Sequence, residues 1–192
     1  IAAAYRAGVG KVLLISSDKA VHAENVYGVS KAMAEYLAIN ANARTYPQGT
    51  RVSVIRYGNV LASSGSVVQV WRQELAALQK ISITDYRMTR FWLALPQAVD
   101  FVLGAIALMR GGETFIPRLP AASLLRLGEA VIMTHFRGQR APESFQDVFI
   151  SQPTGIRPGG EKLFEELVSA AEARRAVRRD PFYIIPPFQH DE

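Results

Sequence analysis

The fold class is indicated most directly by residues 11–37, KVLLISSDKAVHAENVYGVSKAMAEYL. The first part, KVLLIS at 11–16, is a short apolar run that predicts a buried, parallel strand. The segment 24–43 predicts a helix, because its apolar residues recur at helical spacing. These residues are Val26, Val29, Ala32, Met33, Tyr36 and Leu37. The stretch therefore predicts a strand and a helix joined by a polar turn.

The rest of the chain continues this alternation of short apolar runs and helical patterns. Further strands are predicted over 52–57, 81–84 and 114–116. Further helices are predicted over 66–78, 96–109, 123–134 and 161–175. Strands that alternate with helices predict an α/β fold with a parallel sheet built from βαβ units. The elements become shorter after about residue 80, which suggests a second region there.

The composition is that of a globular protein and excludes several functional classes. Of 192 residues, 49% are hydrophobic and 20% are charged, which argues against a disordered chain. The absence of cysteine excludes disulfides, thiolate nucleophiles and Cys-ligated zinc. No apolar run approaches the ~20 residues of a membrane span, and no signal peptide is recognisable. We expect a cytoplasmic protein without a membrane span, and the three scattered histidines predict no metal site.

The charge balance is basic, with a net charge of +5 and a pI near 9.7. Such a balance can indicate nucleic acid, a membrane surface or small phosphorylated ligands. Of the 22 basic residues 17 are arginine, which suits bidentate phosphate contacts, although a GC-rich genome produces the same bias. No zinc-finger, RNP or basic-zipper pattern accompanies the arginines at 174–179, so we expect no nucleic-acid partner.

Tyr27 and Lys31 form the sharpest local signal for chemistry. On a helix, residues at i and i+4 share a face, and an ammonium beside a phenol stabilises the phenolate. Such a tyrosine can exchange a proton with a substrate hydroxyl while hydride moves to a nicotinamide. The spacing alone is common by chance, and a half-buried Tyr with a solvated Lys is the structural alternative.

A polar group of residues, Ser16-Ser17-Asp18-Lys19, follows the first predicted strand directly. Ligands of open α/β sheets bind beyond the carboxyl ends of the strands. An adjacent Asp and Lys can supply the acid and the base that an elimination requires. The structural alternatives are a helix N-cap and turn at Ser17, and a solvated ion pair at Asp18-Lys19.

Residues 16–37, SSDKAVHAENVYGVSKAMAEYL, resemble the active-site segment of extended short-chain dehydrogenases/reductases, and more narrowly of the nucleotide-sugar 4,6-dehydratases of polysaccharide biosynthesis. Later blocks extend the resemblance in order: RYGNVLASSGSVV (56–68), ITDYRMTRFW (83–92), GGETFIP (111–117) and GIRPGGEKLFEEL (155–167). Within that family the chain is most similar to the UDP-N-acetylglucosamine 4,6-dehydratases that also invert C5.

This resemblance implies a partial Rossmann-like sheet of the extended dehydrogenase type. Residues 1–80 would be the C-terminal part of the dinucleotide-binding domain, with the catalytic segment. Residues 81–192 would mostly form a small α+β region that binds the nucleotide sugar. The implied cofactor is NADP or NAD, and the implied substrate is a UDP-sugar. The resemblance also implies a homo-oligomer for the full-length enzyme.

The resemblance further implies catalytic roles. Tyr27, assisted by Lys31, would take the proton of the sugar 4-hydroxyl while hydride passes from C4 to the cofactor. Lys19 would remove the C5 proton, Asp18 would protonate the departing 6-hydroxyl, and Ser17 would hydrogen-bond a sugar hydroxyl. The other implied substrate-binding residues are Asn59, Ser66, Val67, Thr89, Arg90 and Arg157. The implied cofactor-binding residues are Tyr27, Lys31, Tyr57 and Gly58.

Several of these positions have structural alternatives or depart from the family pattern. Ser66 can act as a plain helix N-cap, and Arg87 and Arg90 as surface charges. Ser64 stands where relatives usually have Arg. Gly160 is an extra residue in its block, and Phe164 replaces a common His, which leaves the roles of the neighbouring Glu161 and Lys162 open.

One element of a dinucleotide site is missing from the sequence, because no Gly-rich turn follows the first strand. The resemblance implies that about the first third of the enzyme would precede this chain, and that its first strand is a sheet edge that expects neighbours. Three hypotheses remain open. The chain is part of a dehydratase, a truncated product that only binds nucleotide sugar, or part of a sister epimerase or reductase.

Overall fold

The computed structural model describes residues 1–45, 49–61, 63, 65–78, 80–137, 150–151, 153–157 and 159–187. The helices are α1 Ala2–Arg6, α2 Val26–Thr45, α3 Val67–Leu78, α4 Leu95–Leu108, α5 Leu124–His135 and α6 Ala170–Ala173. The strands are β1 Lys11–Ser17, β2 Arg51–Tyr57, β3 Asn59–Val60, β4 Thr89–Leu93, β5 Thr114–Pro117, β6 Ala121–Ser123, β7 Val177–Arg179 and β8 Phe182–Ile185. A short 3-10 helix, Asp18–Ala20, follows β1 directly.

The main sheet has the strand order β1-β2-β5-β8-β7. Strands β1, β2 and β5 are parallel, with Lys11 opposite Arg51 and Ser17 opposite Tyr57, whereas β8 and β7 are antiparallel to their neighbours. The predicted α/β class with a parallel sheet is therefore confirmed, and β1 lies at the edge of this sheet.

The main sheet belongs to a compact unit of residues 1–58, 96–119 and 166–192. Alternate residues of β2 point to opposite faces, as the two-residue period of a strand requires. Val52 and Val54 pack with Ala38 of α2, whereas Ile55 packs with α4 and Phe115. The sheet of this unit is thus covered by α2 on one face and by α4 on the other.

A second compact unit comprises residues 59–95 and 120–165. It contains a smaller sheet of the order β3-β4-β6 and a core in which Trp71, Ile83 and Ile132 are almost completely buried. The chain passes between the units more than once, so these units do not follow the predicted regions 1–80 and 81–192. The functional assignment of those two regions stays a prediction.

The apolar stripe of α2 faces outward, although its spacing correctly predicted a helix. Val26 is 87% exposed, Met33 62% and Tyr36 70%. The covered face instead carries small and polar residues, among them Ala38 and Asn42, whose Oδ1 accepts a hydrogen bond from the Val52 N–H at 2.9 Å. Among the helices that the structure describes, none has the length and apolar character that a membrane crossing requires.

Two predicted elements are wrong, namely the strand over 81–84 and the helix over 161–175. In both segments, backbone groups form hydrogen bonds with side chains or strands that are distant in the sequence. In place of a strand over 81–84, Ile81 forms a single bridge to Ile150, and Ser82 bonds through its N–H to Glu74 and through its carbonyl to Trp71. The helix predicted over 161–175 is reduced to α6. A capping box of Ser169 with Glu172 starts that short helix afresh.

Candidate functional site

Residues 17–20, here called the Asp-Lys turn, are held by hydrogen bonds between their own side chains. The Ser17 hydroxyl donates to Asp18 Oδ1 at 2.8 Å and accepts from the Lys19 N–H at 3.3 Å. Lys19 Nζ donates to the same carboxylate oxygen at 3.1 Å. Ser17 thus caps the short helix, as its structural alternative predicted, while Asp18 and Lys19 form a direct acid–base contact.

The carboxylate of Asp18 is 0% exposed, and its Oδ2 receives no hydrogen bond from any residue that the structure describes. Burial of a charged oxygen without a partner costs free energy, so such atoms are rare in folded proteins. The alternative of an ordinary solvated pair therefore does not hold for Asp18. The orphaned oxygen is a chemically available acceptor, or a proton donor when it is protonated.

Tyr27 and Lys31 lie in the first two turns of α2, as the sequence predicted. Lys31 Nζ is 5.8 Å from the centroid of the Tyr27 ring and donates to the Ile15 carbonyl of β1 at 3.3 Å. The Tyr27 side chain is about half exposed. The pair therefore combines an accessible phenol with an ammonium that is fixed against the strand ahead of the Asp-Lys turn.

Gly28 brings this helix into contact with the Asp-Lys turn. A Cβ at Gly28 would collide with the carbonyl oxygen of Lys19 and would lie 3.1 Å from the Cβ of Ala23. The Gly28 N–H itself donates to Asn25 Oδ1 at 2.8 Å, which satisfies one backbone donor of the first turn of α2. The absence of a side chain at position 28 thus lets the first turn of α2 pack closely against the backbone of Lys19.

Tyr57 ends β2 beside Ser17 and is electrostatically linked to Tyr27. Burial raises the pKa of the Tyr57 phenol, and the charge of the Tyr27 phenolate raises it further. The chain continues through Gly58 into the second unit. The structure therefore brings together Ser17, Asp18, Lys19, Tyr27, Lys31 and Tyr57 within the first unit.

Arg90, on β4 of the second unit, is buried rather than a surface charge. Its guanidinium donates to the carbonyls of Thr89 and Leu163 at 2.7 and 3.3 Å, and contacts the sulfur of Met88 at 3.7 Å. Carbonyl acceptors orient a guanidinium without cancelling its charge. By contrast, Arg87 is exposed and forms an ion pair with Asp85 at 2.7 Å, so the surface alternative describes Arg87 and not Arg90.

The other predicted substrate residues lie in three parts of the second unit. Asn59 pairs with Trp92 between β3 and β4, and Val67 is the first residue of α3. The hydroxyl of Ser66 is buried and has no hydrogen-bond partner among the described residues, so the plain N-cap alternative is not seen. Arg157 is exposed, with its Nε 3.9 Å from Glu161. Their roles stay predictions, and Ser64 lies outside the described residues.

A buried charged cluster that was not predicted from the sequence surrounds Arg56 in the first unit, where Glu35 of α2 and Glu172 of α6 both contact the guanidinium. A charged residue in the middle of the apolar run VSVIRY was the available signal. A cavity of about 690 Å³ adjoins the cluster, and its described lining includes none of Asp18, Lys19, Tyr27 and Lys31.

Comparison with known proteins places the chain in a family. A family model described as a polysaccharide biosynthesis protein matches residues 1–187. A UDP-N-acetylglucosamine 4,6-dehydratase (inverting) from Campylobacter jejuni (serotype O:23/36, strain 81-176) is 37% identical over 97% of this chain and 52% of its own length. A UDP-glucose 4-epimerase from Rickettsia felis is also 37% identical, over 97% of this chain and 51% of its own length.

The fold has a counterpart among solved structures. The X-ray structure of Pen from Bacillus thuringiensis matches with a TM-score of 0.85 and 34% identity, and the match covers 97% of this chain and 56% of that one. The chain thus spans about half the length of the relatives that it matches.

Proposed function

The chain belongs to the polysaccharide biosynthesis protein family, and we propose on this basis that it supplies the acid–base residues of a nucleotide-sugar 4,6-dehydratase. The proposed substrate is a UDP-sugar, in the first place UDP-N-acetylglucosamine, which loses one water to become a 4-keto-6-deoxy sugar nucleotide. The observation that carries the proposal is the 3.1 Å contact between Lys19 and the buried Asp18, at the strand end where α2 presents Tyr27 and Lys31.

In the first stage of the proposed reaction, Tyr27 would take the proton of the 4-hydroxyl. Lys31 supports this role because an ammonium 5.8 Å from the ring centroid stabilises the developing phenolate. The hydrogen bond from Lys31 to the Ile15 carbonyl keeps that ammonium in place.

In the second stage, Lys19 would remove the C5 proton and Asp18 would protonate the departing 6-hydroxyl, which leaves as water. The direct contact between the two side chains supports these roles. A proton that moves from the Lys19 ammonium to the Asp18 carboxylate leaves Lys19 as a neutral base and Asp18 as a neutral acid. The orphaned Oδ2 of Asp18 is the oxygen that is available to the leaving hydroxyl.

The proposed cofactor is NADP or NAD, which when bound would accept the hydride from C4 and return it to C6, so that the sugar undergoes no net oxidation and the overall change is the loss of water. Tyr27, Lys31, Tyr57 and Gly58 would border it. The residues fit this role because the half-exposed Tyr27 and the polar end of Lys31 lie beside the carboxyl end of β1, where parallel α/β sheets bind their ligands. For the nucleotide diphosphate, Arg157 is the proposed contact, because its guanidinium is exposed and matches phosphate oxygens in geometry. Arg90 stays a further proposed substrate-binding residue.

The decisive experiment follows deuterium from solvent into C5 of the sugar, with NADP and UDP-N-acetylglucosamine supplied to the complete protein. We expect the Lys19→Ala variant to lose C5 exchange, because Lys19 is the proposed base. Lys80→Ala, which removes an exposed lysine, should exchange like the parent. Unchanged exchange in Lys19→Ala would contradict the proposed role.

A 4-epimerase is the second candidate, because the Rickettsia felis relative is as similar as the dehydratase. Epimerisation at C4 needs the tyrosine but no acid and base for elimination, so the Asp18–Lys19 contact favours dehydration. Analysis of the product separates the two, since the dehydratase forms a 4-keto-6-deoxy sugar and the epimerase a C4 epimer. Calorimetry with NADP and UDP-N-acetylglucosamine tests the third hypothesis, a chain that only binds nucleotide sugar.

A further inference from the structure

The Arg56 guanidinium is bonded on every nitrogen. Its Nε and Nη2 donate to the two oxygens of Glu35 at 3.1 and 2.6 Å. Its Nη1 and Nη2 donate to the two oxygens of Glu172 at 3.2 Å each, and Nη1 also donates to the Leu167 carbonyl at 2.9 Å. Arg56 is 4% exposed. This is a doubly bidentate arrangement that only a guanidinium can make.

The charges of this cluster depend on one another. Burial opposes ionisation of Glu172, but the hydrogen bonds and charge of Arg56 outweigh it and hold the pKa of that carboxyl below its ordinary value. Removal of the cation would leave two carboxylates together in a largely buried place, which is a strongly unfavourable arrangement.

The cluster joins the catalytic helix to the segment 166–172, here called the latch. Glu35 lies on α2 four residues after Lys31 and eight after Tyr27, so the three lie along one side of the helix. Leu167 and Glu172 belong to the latch. A second attachment lies just after the Asp-Lys turn, where His22 Nδ1 is 2.6 Å from Glu166 Oε2.

A cavity that is lined by residues of both α2 and the latch adjoins this connection. The cavity has a volume of about 690 Å³. Its lining includes Ala32 and Tyr36 of α2 and Ser169 and Ala171 of the latch. The bonds of Arg56 to Glu35, Leu167 and Glu172 thus bridge α2 and the latch beside an open space.

We propose that Arg56 is a positioning residue, which uses the latch to fix α2 and the Asp-Lys turn so that Tyr27 and Lys31 stay aligned with Asp18 and Lys19. This inference rests on the proposed function for its catalytic consequence only. Arg56 itself contacts neither the Asp-Lys turn nor Tyr27 through its side-chain hydrogen bonds, all of which go to Glu35, Leu167 and Glu172.

The first test measures backbone hydrogen exchange in the protein without substrate. Glu172→Gln keeps the side-chain volume but turns one amide N–H toward Arg56, which weakens charge-assisted bonds. We expect exchange to accelerate roughly tenfold in residues 17–31 as well as in the latch. Asp180→Asn is the matched control, because it removes an exposed acid that pairs with Arg118 and Arg178 in the same unit. It should leave exchange in residues 17–31 unchanged.

Arg56→Lys is the second variant, since it keeps the charge but cannot span both carboxylates. It should accelerate exchange in the same residues. Acceleration confined to residues 166–175 in both variants, with residues 17–31 unchanged, would overturn the proposal. This readout needs no activity, so it decides the role of the latch even if the protein proves not to be a dehydratase.

The second test compares kinetics at a temperature where parent and variant are both folded. Because Arg56 positions groups that move protons, Glu172→Gln should lower kcat roughly tenfold and leave KM for the nucleotide sugar nearly unchanged. A merely structural role predicts parental kcat with a lower melting temperature, and that result would refute the positioning role.

Discussion

Two acid–lysine dipeptides of this chain, Asp18-Lys19 and Glu161-Lys162, have similar chemistry and different surroundings. In the first, the neighbours bond to each other at 3.1 Å, and the acid is completely buried. In the second, Glu161 faces Arg157 at 3.9 Å and Lys162 faces Glu165 at 3.7 Å. The same pairing of residue types thus produces an acid–base contact at one place and two looser ion pairs at the other.

The difference arises from what precedes each dipeptide. Asp18 follows the seven-residue strand β1, whose last residues are buried, and the Ser17 cap turns the chain so that the carboxylate stays inside. Glu161 follows the described residues 153–157 and 159–160, which are exposed and belong to no strand or helix. A buried carboxylate with an orphaned oxygen is costly, so Asp18 points to function, whereas the exposed Arg157 forms a pair with Glu161 that costs little and indicates little. Lys162 differs from Arg157, because its partner Glu165 is buried and has an orphaned Oε2 of its own.

The largest expected effect is on turnover, and it separates the two acids. Asp18→Asn should lower the rate of 4-keto product formation by about 10²–10⁴-fold, because an amide cannot protonate the leaving hydroxyl. Glu161→Gln should change the rate far less. Steady-state assays of the complete protein measure both, and equal losses in the two variants would show that Asp18 and Glu161 do not differ in function.

The next effect is on stability. It compares Gly28, which packs against the Lys19 carbonyl, with Gly160, which directly precedes Glu161. Gly28→Ala should lower the free energy of unfolding by about 1–3 kcal/mol, because the new Cβ meets the Lys19 carbonyl. Gly160→Ala should change it by less than about 0.5 kcal/mol, since no described atom lies within 4 Å of a Cβ there. Urea denaturation compares them, and a tolerant position 28 would show that α2 is not tightly seated on the turn.

The smallest effect is expected for the Arg157–Glu161 pair. Arg157→Ala should shift the free energy of unfolding by less than about 0.5 kcal/mol, because the Arg157 side chain is 77% exposed and the two charges are 3.9 Å apart. Thermal melting at two salt concentrations measures the shift. A larger, salt-dependent loss of stability would mean that the Arg157–Glu161 ion pair stabilises the protein, and it would weaken the contrast with the Asp-Lys turn.

Elements with a strong local pattern were predictable. The strands at 11–16 and 52–57 and the helices at 66–78 and 96–109 all formed within one or two residues of the predicted ends. The segment 161–175 failed, because a helical spacing does not show that the carbonyls of Leu163 and Leu167 bond to the Thr89 N–H and to Arg56. The outward stripe of α2 likewise needed the structure, since periodicity shows that a face is apolar but not what covers it.

By itself the sequence determined the order of strands and helices, the pairing of Tyr27 with Lys31, and the position of Asp18 and Lys19 at a strand end. These features depend on neighbours a few residues apart, which local spacing and backbone geometry govern. Only the tertiary structure decided that Arg56 meets Glu35 and Glu172, which lie 21 and 116 positions away. Contacts over such separations depend on how the whole chain buries its apolar surface, and no local pattern records them.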